Sequence, residues 1–500
     1  MLFVLAAFVL AACQPDEELP TELPTEPAGI PPATNTPQPE TQPTPTITET
    51  APSPTPEATE VFYVPGESIM GIEISGRKFD VQFAALTDAG AVWTRRNALR
   101  WALVEPTPGE RNWAAAAALE EEFKRASEAG INLILIVRDT PAWAQKEAGI
   151  ACGPAAPDKL EAMAAFMYDV VARYSQPPYN VKFYEIWNEP DVDVHSIKPT
   201  SVFGCWGDKS APYYGGQYYA EMLKVVYPRV KAADPQSDVI IGGLLLDCDP
   251  NNPPELEAGK FKDCSSARFL EGILVNGGGD YFDGISFHAY DFYAAEAIPG
   301  GGGFGNLNWG SGWALNGLIP VVVPKARFIK NVLEQYGVTG KYLLNTETGL
   351  ICGRDGSEPP CQSDEFVRSK AYHIAKSYAA ALAEGLRANL WYSMFGWRAS
   401  GLISKQDGTP NAAYTAYQFA ASQFSEAVFQ REVTELPGVI GYEFVRREAT
   451  FWVLWSLKGD LIEVTLPDMP TASYDVFGTP LAAEKQFFVD AAPIYVEWTQ

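Results

Sequence analysis

Two glutamates stand where short apolar segments of the sequence end. Glu189 follows the apolar run in "YEIWNEPDV" and is flanked by Asn188 and Pro190, and Glu347 ends the run "KYLLNTE". A turn alone could use Asn and Pro but would not need a glutamate, so the pattern indicates a carboxylate held at a strand tip. Two such carboxyl groups can divide the work, one donating a proton to a leaving oxygen and the other attacking a carbon atom.

Apolar segments alternate with longer amphipathic segments from about residue 68 to residue 425, which predicts strands and helices in turn. Several segments are apolar on both faces, as buried parallel strands are. The predicted strands are residues 69–75, 92–97, 131–138, 181–187, 238–244, 282–290, 341–347 and 388–394. Eight strand–helix repeats predict a (β/α)8 TIM barrel over residues 61–425. An open doubly wound sheet is the alternative, although the sequence has no Gly-x-Gly-x-x-Gly turn after the first strand and no P-loop.

The pattern of apolar and polar residues changes after residue 425. Residues 426–500 consist of short alternating runs such as "GYEFVRRE", "TFWVLWSL" and "PIYVEW", with turns between them. This pattern predicts a small C-terminal antiparallel domain, similar to a β-sandwich.

In a barrel of this kind the functional groups lie at the carboxyl ends of the strands. Glu189 follows the fourth predicted strand and Glu347 ends the seventh, so their side chains are expected to face each other across the barrel mouth. Two carboxyl groups in this arrangement are what hydrolysis of a glycosidic bond requires. A separation of about 5–5.5 Å would give retention of configuration and about 6.5–9.5 Å would give inversion.

The motifs resemble those of a known group of enzymes. "EIWNEPD" and the later "LLNTETGL" are similar to the acid/base and nucleophile motifs of retaining glycoside hydrolases of clan A. The resemblance is greatest to family thirty-nine and its relatives. "FDGISFHAY" resembles their sixth strand, and "WALVEPTPGERNW" resembles the segment after their second strand. The resemblance covers residues 68–425 and implies a β-domain at the C-terminus.

The resemblance implies a role for each of several residues. Glu189 would be the general acid/base and Glu347 the nucleophile, while Asn188 would bind the 2-hydroxyl group of the sugar. No metal ion and no organic cofactor are implied.

Three more side chains are expected around the nucleophile by the same resemblance. Tyr290 would hold Glu347 ionised and oriented, and His288 would line the site. Arg96, or its neighbour Arg95, would support the nucleophile from the second strand by opposite charge. The register of the strand decides between the two, because a shift of one residue exchanges the faces.

Tryptophan rings are candidates for stacking on sugar faces, although most tryptophans in proteins are packing residues. We expect a substrate-binding role for four of them, which lie in predicted loops or near the eighth strand: Trp143, Trp309, Trp391 and Trp397.

The first residues, "MLFVLAAFVLAAC", are an apolar run too short to span a bilayer, which needs about 20 residues. The run is typical of a signal peptide, and its end resembles a bacterial lipobox in which Cys13 is lipidated. An ordinary secretory signal is the alternative. Residues 14–60 are rich in Pro, Thr and Glu and are predicted to be a disordered tether. The sequence therefore predicts a protein anchored by lipid outside the cytoplasm, with residues 1–13 as its signal.

The cysteines agree with this location. Of seven cysteines, Cys13 is assigned to lipidation, which leaves an even number for disulfide bonds. Proximity in sequence favours the pairs Cys248–Cys264 and Cys352–Cys361, which leaves Cys152–Cys205, although six cysteines allow about 15 pairings. A zinc site is the alternative, but the sequence has no Cys-x-x-Cys pair and only three histidines.

The formal net charge of -25 argues against a nucleic-acid partner, which would call for a basic surface. The expected partner is a neutral oligosaccharide or polysaccharide, and the membrane is expected to be contacted only through the lipid anchor. The sequence thus predicts a retaining glycoside hydrolase acting on β-linked glycans. A carbohydrate-binding surface lipoprotein without activity and a transglycosylase on the same scaffold are the alternatives. The sugar, exo or endo action and the oligomeric state are not indicated.

Overall fold

The computed structural model describes residues 66–196, 201, 203–294, 303–304, 312–313 and 318–499. Cys13, Trp309 and residues 1–60 lie outside the described residues, so the predictions of a lipidated signal, a tether and a sugar-binding Trp309 remain predictions. No helix among the described residues combines the length and the apolar character needed to cross a membrane.

Eight parallel strands form a closed barrel. In chain order they are β1 (Met70–Ile72), β2 (Trp93–Arg100), β3 (Asn132–Arg138), β4 (Phe183–Asn188), β5 (Asp238–Leu244), β6 (Gly284–Ala294), β7 (Tyr342–Ile351) and β8 (Ala388–Trp391). Neighbouring strands pair in sequence order, β8 pairs with β1, and β7 pairs with β6 to complete the ring. The predicted (β/α)8 architecture is confirmed, and the open sheet is excluded because every barrel strand has two neighbours.

A helix follows each strand and covers the outside of the barrel. The helices are α1 (Phe79–Asp88), α2 (Ala117–Glu128), α3 (Leu160–Tyr174), α4 (Gly216–Ala233), α5 (Arg268–Val275), α6 (Val322–Gln335), α7 (Asp364–Ala383) and α8 (Ala412–Phe424). The side chain of Ser363 accepts a hydrogen bond from the backbone N–H of Phe366, which satisfies a free donor at the start of α7. Gly385, just past the end of α7, has a φ of 69°, a conformation that glycine adopts without steric cost.

The C-terminal segment forms antiparallel sheets, as predicted. Its strands are β9 (Val428–Glu432), β10 (Val439–Arg446), β11 (Ala449–Ser456), β12 (Ile462–Thr465), β13 (Ala472–Tyr474), β14 (Gln486–Val489) and β15 (Ile494–Thr499). One sheet has the order β9-β10-β11-β15-β13, and β12 pairs with β14 in a second sheet. One apolar cluster joins Trp452 and Leu454 of the first sheet to Val464 and Val489 of the second. The sandwich arrangement and the domain boundaries remain predictions.

Several strands differ in length from the predicted segments, and the difference at β7 bears on the site. The sequence predicted a strand that ends at Glu347, but β7 continues to Ile351. It continues because β6 is also long: Gly349 pairs with Tyr290, and Ile351 pairs with Phe292. Glu347 therefore lies inside a paired strand, next to a register shift between β7 and β6, and its backbone is fixed on that side.

Three disulfide bonds lie in the loops at the carboxyl ends of the strands: one joins two loops, and the other two each close a single loop. The pairs are Cys152–Cys205, Cys248–Cys264 and Cys352–Cys361, with Cα–Cα distances of 5.3, 5.2 and 5.5 Å. These distances lie in the normal range for disulfides. The predicted pairing is confirmed.

The disulfides should differ in their contribution to stability, because a cross-link that closes a longer loop removes more entropy from the unfolded chain. Cys152–Cys205 spans 53 residues and Cys352–Cys361 spans 9. We expect the double substitution C152A/C205A to lower the free energy of unfolding by about 1.5 kcal/mol more than C352A/C361A does. Denaturant unfolding without reductant would measure both values. All four cysteines are buried, so loss of packing is similar in the two variants. An equal or larger loss for C352A/C361A would contradict the prediction.

Candidate active site

The two predicted glutamates lie together at the mouth of the barrel. Glu189 directly follows β4, Glu347 lies in β7, and both side chains are buried. His288 on β6 lies between them, with Nδ1 2.8 Å from Oε1 of Glu189 and Nε2 3.4 Å from Oε1 of Glu347. One oxygen of each carboxyl group and one nitrogen of the imidazole lie within 4.8 Å of one another. The carboxyl groups are therefore close enough to act on the same bond of a bound molecule.

The backbone around Glu189 has a conformation that is uncommon for residues with side chains. Trp187 and Glu189 have φ angles of 71° and 49°, in the left-handed region. The N–H of Glu189 donates to the carbonyl of Gly243 on β5, at 2.9 Å. A Cβ atom at Gly243 would lie 2.2 Å from Nε2 of His288, so only glycine leaves room for this imidazole. Glycine in the run "DVIIGGL" thus allows His288 to reach Glu189.

Arg95 on β2 connects the site to three strands through a fully buried guanidinium group. Its Nε and Nη2 donate to Glu185 at 2.8 and 2.9 Å, and Nη2 also donates to Oδ1 of Asn188 at 2.6 Å. Nη1 donates to Oε1 of Glu347 at 2.5 Å and to Oε2 of Glu73 at 3.1 Å. A guanidinium group has five N–H donors, and these five bonds use all of them.

Arg96, which was predicted to support the nucleophile with Arg95 as the alternative, does not face the site. Its Nε donates to Glu122 of α2 at 2.5 Å, and its Nη1 donates to the carbonyl of Ile74. Successive side chains of a strand point to opposite faces, so Arg95 points into the barrel and Arg96 points toward the helices. The choice of Arg96 was wrong, and Arg95 takes its place.

Tyr290 contacts the second oxygen of Glu347. Its hydroxyl donates to Oε2 at 2.5 Å, so both carboxylate oxygens of Glu347 accept hydrogen bonds from the protein. Burial raises the pKa of Glu347, while the positive charge of Arg95 and the two hydrogen bonds lower it. These partners favour the ionised form of Glu347, which is the form a nucleophile needs.

Glu189 has a different environment. Burial raises its pKa well above the usual range, and the negative charges of Glu347 and Asp191 add to this effect. Among the described residues, no donor reaches its buried Oε2. Burial also lowers the pKa of His288 well below its usual value, so the imidazole is neutral and supplies no charge to ionise Glu189. The site therefore favours a protonated Glu189, the form that a general acid needs.

The described tryptophans differ in what they can offer a ligand. Trp397 has 39% of its surface exposed, and its ring lies 5.7 Å from that of Tyr290. Trp143 is half-buried and packs edge-on against Trp101. Trp391 is completely buried, and its indole N–H donates to the carbonyl of Ser400. A buried ring offers no face to a sugar, so the prediction for Trp391 was wrong: it supports the loop after β8.

Sequence reasoning missed three residues of the site. Glu73, just after β1, and Glu185, within β4, both bind Arg95, and Tyr392 packs its ring 6.1 Å from that of Tyr290. A signal was present for the two acids, because each stands within an apolar segment, "IMGIEIS" or "VKFYEIW". A carboxylate at a buried strand position needs a cation, and this should have pointed to Arg95.

Glu189, His288 and Glu347 are also spaced so that they could surround a metal ion. Oε1 of Glu347 is, however, already bound to the guanidinium group of Arg95, which would repel a second cation. The donor set thus fits proton transfer and nucleophilic attack better than metal binding.

No protein-family model matches the sequence, and no curated protein matches it. Solved structures do match the fold. A family 39 glycoside hydrolase from Bacteroides cellulosilyticus superposes with a TM-score of 0.60 at 21% identity, covering 86% of this chain and 80% of that one. A family 39 β-xylosidase from Caulobacter crescentus has a TM-score of 0.53 at 15% identity, with 88% and 97% covered. A family 30 endoxylanase from Clostridium papyrosolvens has a TM-score of 0.53 at 13% identity, with 88% and 98% covered.

At these identities the likeness shows the fold and nothing finer. The fold of family 39 glycoside hydrolases, which the motifs predicted, is therefore confirmed for this chain, and family 30 enzymes share it.

The hydrogen bond from Tyr290 should be measurable as a change in the pKa of Glu347. Because the hydroxyl lowers that pKa, we expect Y290F to raise it and to leave the fold unchanged. Carboxyl-carbon NMR titration would measure the pKa, with the Glu347 signal assigned from its loss in E347Q. Y293F is the matched control, because Tyr293 lies on the same strand but packs against Phe366. An unchanged or lower pKa in Y290F would contradict the assignment.

Proposed function

We propose that the protein is a retaining glycoside hydrolase that cleaves β-glycosidic bonds of neutral glycans by double displacement. The observation that carries this proposal is the pair of carboxyl groups of Glu189 and Glu347. An oxygen of one lies within 4.8 Å of an oxygen of the other, but the two groups have different hydrogen-bond partners. Retaining enzymes place these groups about 5–5.5 Å apart, and inverting enzymes about 6.5–9.5 Å apart. The fold shared with family 39 and family 30 glycoside hydrolases also supports the proposal.

In the first step Glu347 attacks the anomeric carbon of the sugar. A bond forms between a carboxylate oxygen and that carbon, the bond to the leaving oxygen breaks, and Glu189 gives its proton to that oxygen. Glu189 becomes a carboxylate as Glu347 is consumed in the ester, so the site gains no net charge.

In the second step Glu189 takes a proton from a water molecule, whose oxygen attacks the anomeric carbon and releases Glu347. Asn188 is proposed to assist both steps through the 2-hydroxyl group. Arg95 binds the Oδ1 atom of Asn188 and thereby directs its amide nitrogen as the hydrogen-bond donor. His288 holds Glu189 in place from β6.

The proposed preference for neutral sugars follows from the fact that the N–H donors of Arg95 are all bound to acceptors of the protein. Four carboxyl groups, Glu73, Glu185, Glu189 and Glu347, surround this guanidinium group or the imidazole beside it. Since all five donors of Arg95 are taken, it has none left for the carboxylate of a uronic acid. An anionic sugar would add negative charge to an already acidic pocket.

The place of action is proposed to be outside the cytoplasm. Three disulfide pairs are typical of oxidising compartments. Lipidation of Cys13 would attach the protein to a membrane, and a tether over residues 14–60 would act as the spacer between the lipid and the barrel.

The two glutamates should respond differently to the leaving group. In E189Q, glycosides with activated aryl leaving groups should lose much less activity than natural glycans, because they need little protonation. In E347Q, both kinds of substrate should lose activity by a factor of about 10⁴ or more, because the nucleophile is gone. Initial rates on 4-nitrophenyl glycosides and on oligosaccharides would measure both effects. NMR of the first product formed would show whether its configuration is retained.

E122Q is a suitable control for these variants, because Glu122 pairs with the outward-facing Arg96. Equal loss on both substrate types in E189Q would remove the acid role from Glu189. Sugar binding without release of any product, unchanged in E347A, would instead indicate a binding protein. Transfer of the sugar to another sugar in preference to water would indicate a transglycosylase.

The charge of the pocket predicts discrimination between a sugar and its uronic acid. 4-Nitrophenyl β-glucoside and β-glucuronide differ only in the group on C5, as do the galactose pair. We expect kcat/KM for the uronide to be lower by a factor of about 100 or more, because unpaired like charges cost several kcal/mol. Comparable rates on both members of a pair would contradict the proposed preference.

A further inference from the structure

The carbonyl groups of the turn that follows β8 are all hydrogen-bonded. The five consecutive carbonyl groups, at residues 397–401, each accept at least one hydrogen bond. The backbone N–H groups of Ser400 and Cys352 donate to the first two, and the indole of Trp391 donates to the fourth. Lys370 donates to the third and the fifth, the carbonyls of Ala399 and Gly401, at 3.1 and 2.7 Å, and the fifth also accepts from the side-chain amide of Asn411 at 2.9 Å.

The backbone of this turn is not one that the chain adopts easily. Arg398 and Ala399 have φ angles of 48° and 63°, so two successive residues with side chains are left-handed. Such a conformation costs roughly 1–2 kcal/mol per residue. It persists only where surrounding contacts fix it.

Lys370 provides two of the hydrogen bonds that fix the turn, but burial of its side-chain nitrogen is itself unfavourable. It lies on α7, is 3% exposed, and forms no ion pair with a carboxylate of the described residues. Burial lowers the pKa of Lys370 to about 7. A buried ammonium group without a counter-charge is unfavourable, so a hydrophobic residue would suit stability better. The amine keeps N–H donors for both carbonyls whether or not it is protonated.

The turn begins with Trp397, the exposed ring beside the nucleophile. The guanidinium group of Arg398 lies over this ring at 5.4 Å. The ring of Tyr290, whose hydroxyl binds Glu347, meets the Trp397 ring at 73°. Ser400 Oγ accepts from the N–H of Trp397 and donates to the carbonyl of Tyr392, which ties the turn to the tip of β8. The exposed ring is thus fixed relative to the carboxylate.

We propose that Lys370 is a positioning residue for substrate binding: by holding the carbonyls of Ala399 and Gly401, it fixes Trp397 as a rigid platform for a sugar ring beside the nucleophile. This inference rests on the proposed function, because it assumes a sugar ligand. Lys370 itself does not touch the sugar. The benefit of its burial is a platform that needs no ordering when the ligand binds.

The test compares two lysines on the same helix. K370M removes the two hydrogen bonds from Lys370 to the turn. K376M removes the side-chain nitrogen of another buried lysine of α7, which lies 6.0 Å from the ring of Trp455 in the C-terminal segment. We expect K370M to raise KM for the best of the 4-nitrophenyl β-xyloside, β-glucoside and β-galactoside by about tenfold, with kcat changed by less than about twofold. K376M should leave KM unchanged. Thermal unfolding would show whether both variants fold. If K370M does not fold, K370Q replaces it in the test.

A double-mutant cycle separates positioning from general loosening. If Lys370 acts through Trp397, then K370M should add nothing to KM in a W397A background. Full additivity of the two effects, or equal effects of K370M and K376M, would overturn the proposal. The same cycle can be read from calorimetric binding of xylose, glucose and galactose. A protein that bound these sugars without turnover would refute the proposed hydrolase and still test the role of Lys370.

Discussion

The candidate site depends on one buried cation, the guanidinium group of Arg95. It binds carboxylates from the residue after β1, from β4 and from β7, together with the amide oxygen of Asn188. A charge in the interior of a barrel is tolerable only when each of its donors has a partner. The fixed fork of the guanidinium group therefore sets where Glu347 and Asn188 lie. The distance between the two central glutamates follows from this constraint and from the ring of strands.

One cation among four carboxyl groups also explains why the two central glutamates can differ. Burial raises the pKa of both, but Glu347 has hydrogen bonds from Arg95 and Tyr290, whereas Glu189 contacts a neutral imidazole. The donors oppose the effect of burial at Glu347 and favour its charged form, whereas their absence at Glu189 favours the protonated form. The difference between the two carboxyl environments is therefore a consequence of which strand carries the arginine and which carries the histidine.

The sequence predicted those features that local patterns determine. Apolar segments located the strands, the flanking residues pointed to Glu189 and Glu347, and proximity gave the disulfide pairs. It could not decide between Arg95 and Arg96, because a shift of one residue in the register moves every side chain of the strand to the opposite face. It also could not show that Trp391 is buried, since an aromatic residue after a strand can face either way. Lys370 was not noticed, because a lysine in an amphipathic helix is normally on the surface.

Buried lysines at the mouth share a structural reason. Beyond the last residue that a barrel strand pairs with a given neighbour, carbonyl groups on that side lose their sheet partners but are still buried, so each needs another donor. Lys325 of α6 donates to the carbonyls of Leu245 and His288, much as Lys370 does for the turn after β8. A helix packed outside the barrel can deliver such a donor only on a long side chain, and lysine can offer several N–H groups to separate carbonyls. Burial of the lysine nitrogen thus lowers stability, while its hydrogen bonds fix the positions of His288 and Trp397.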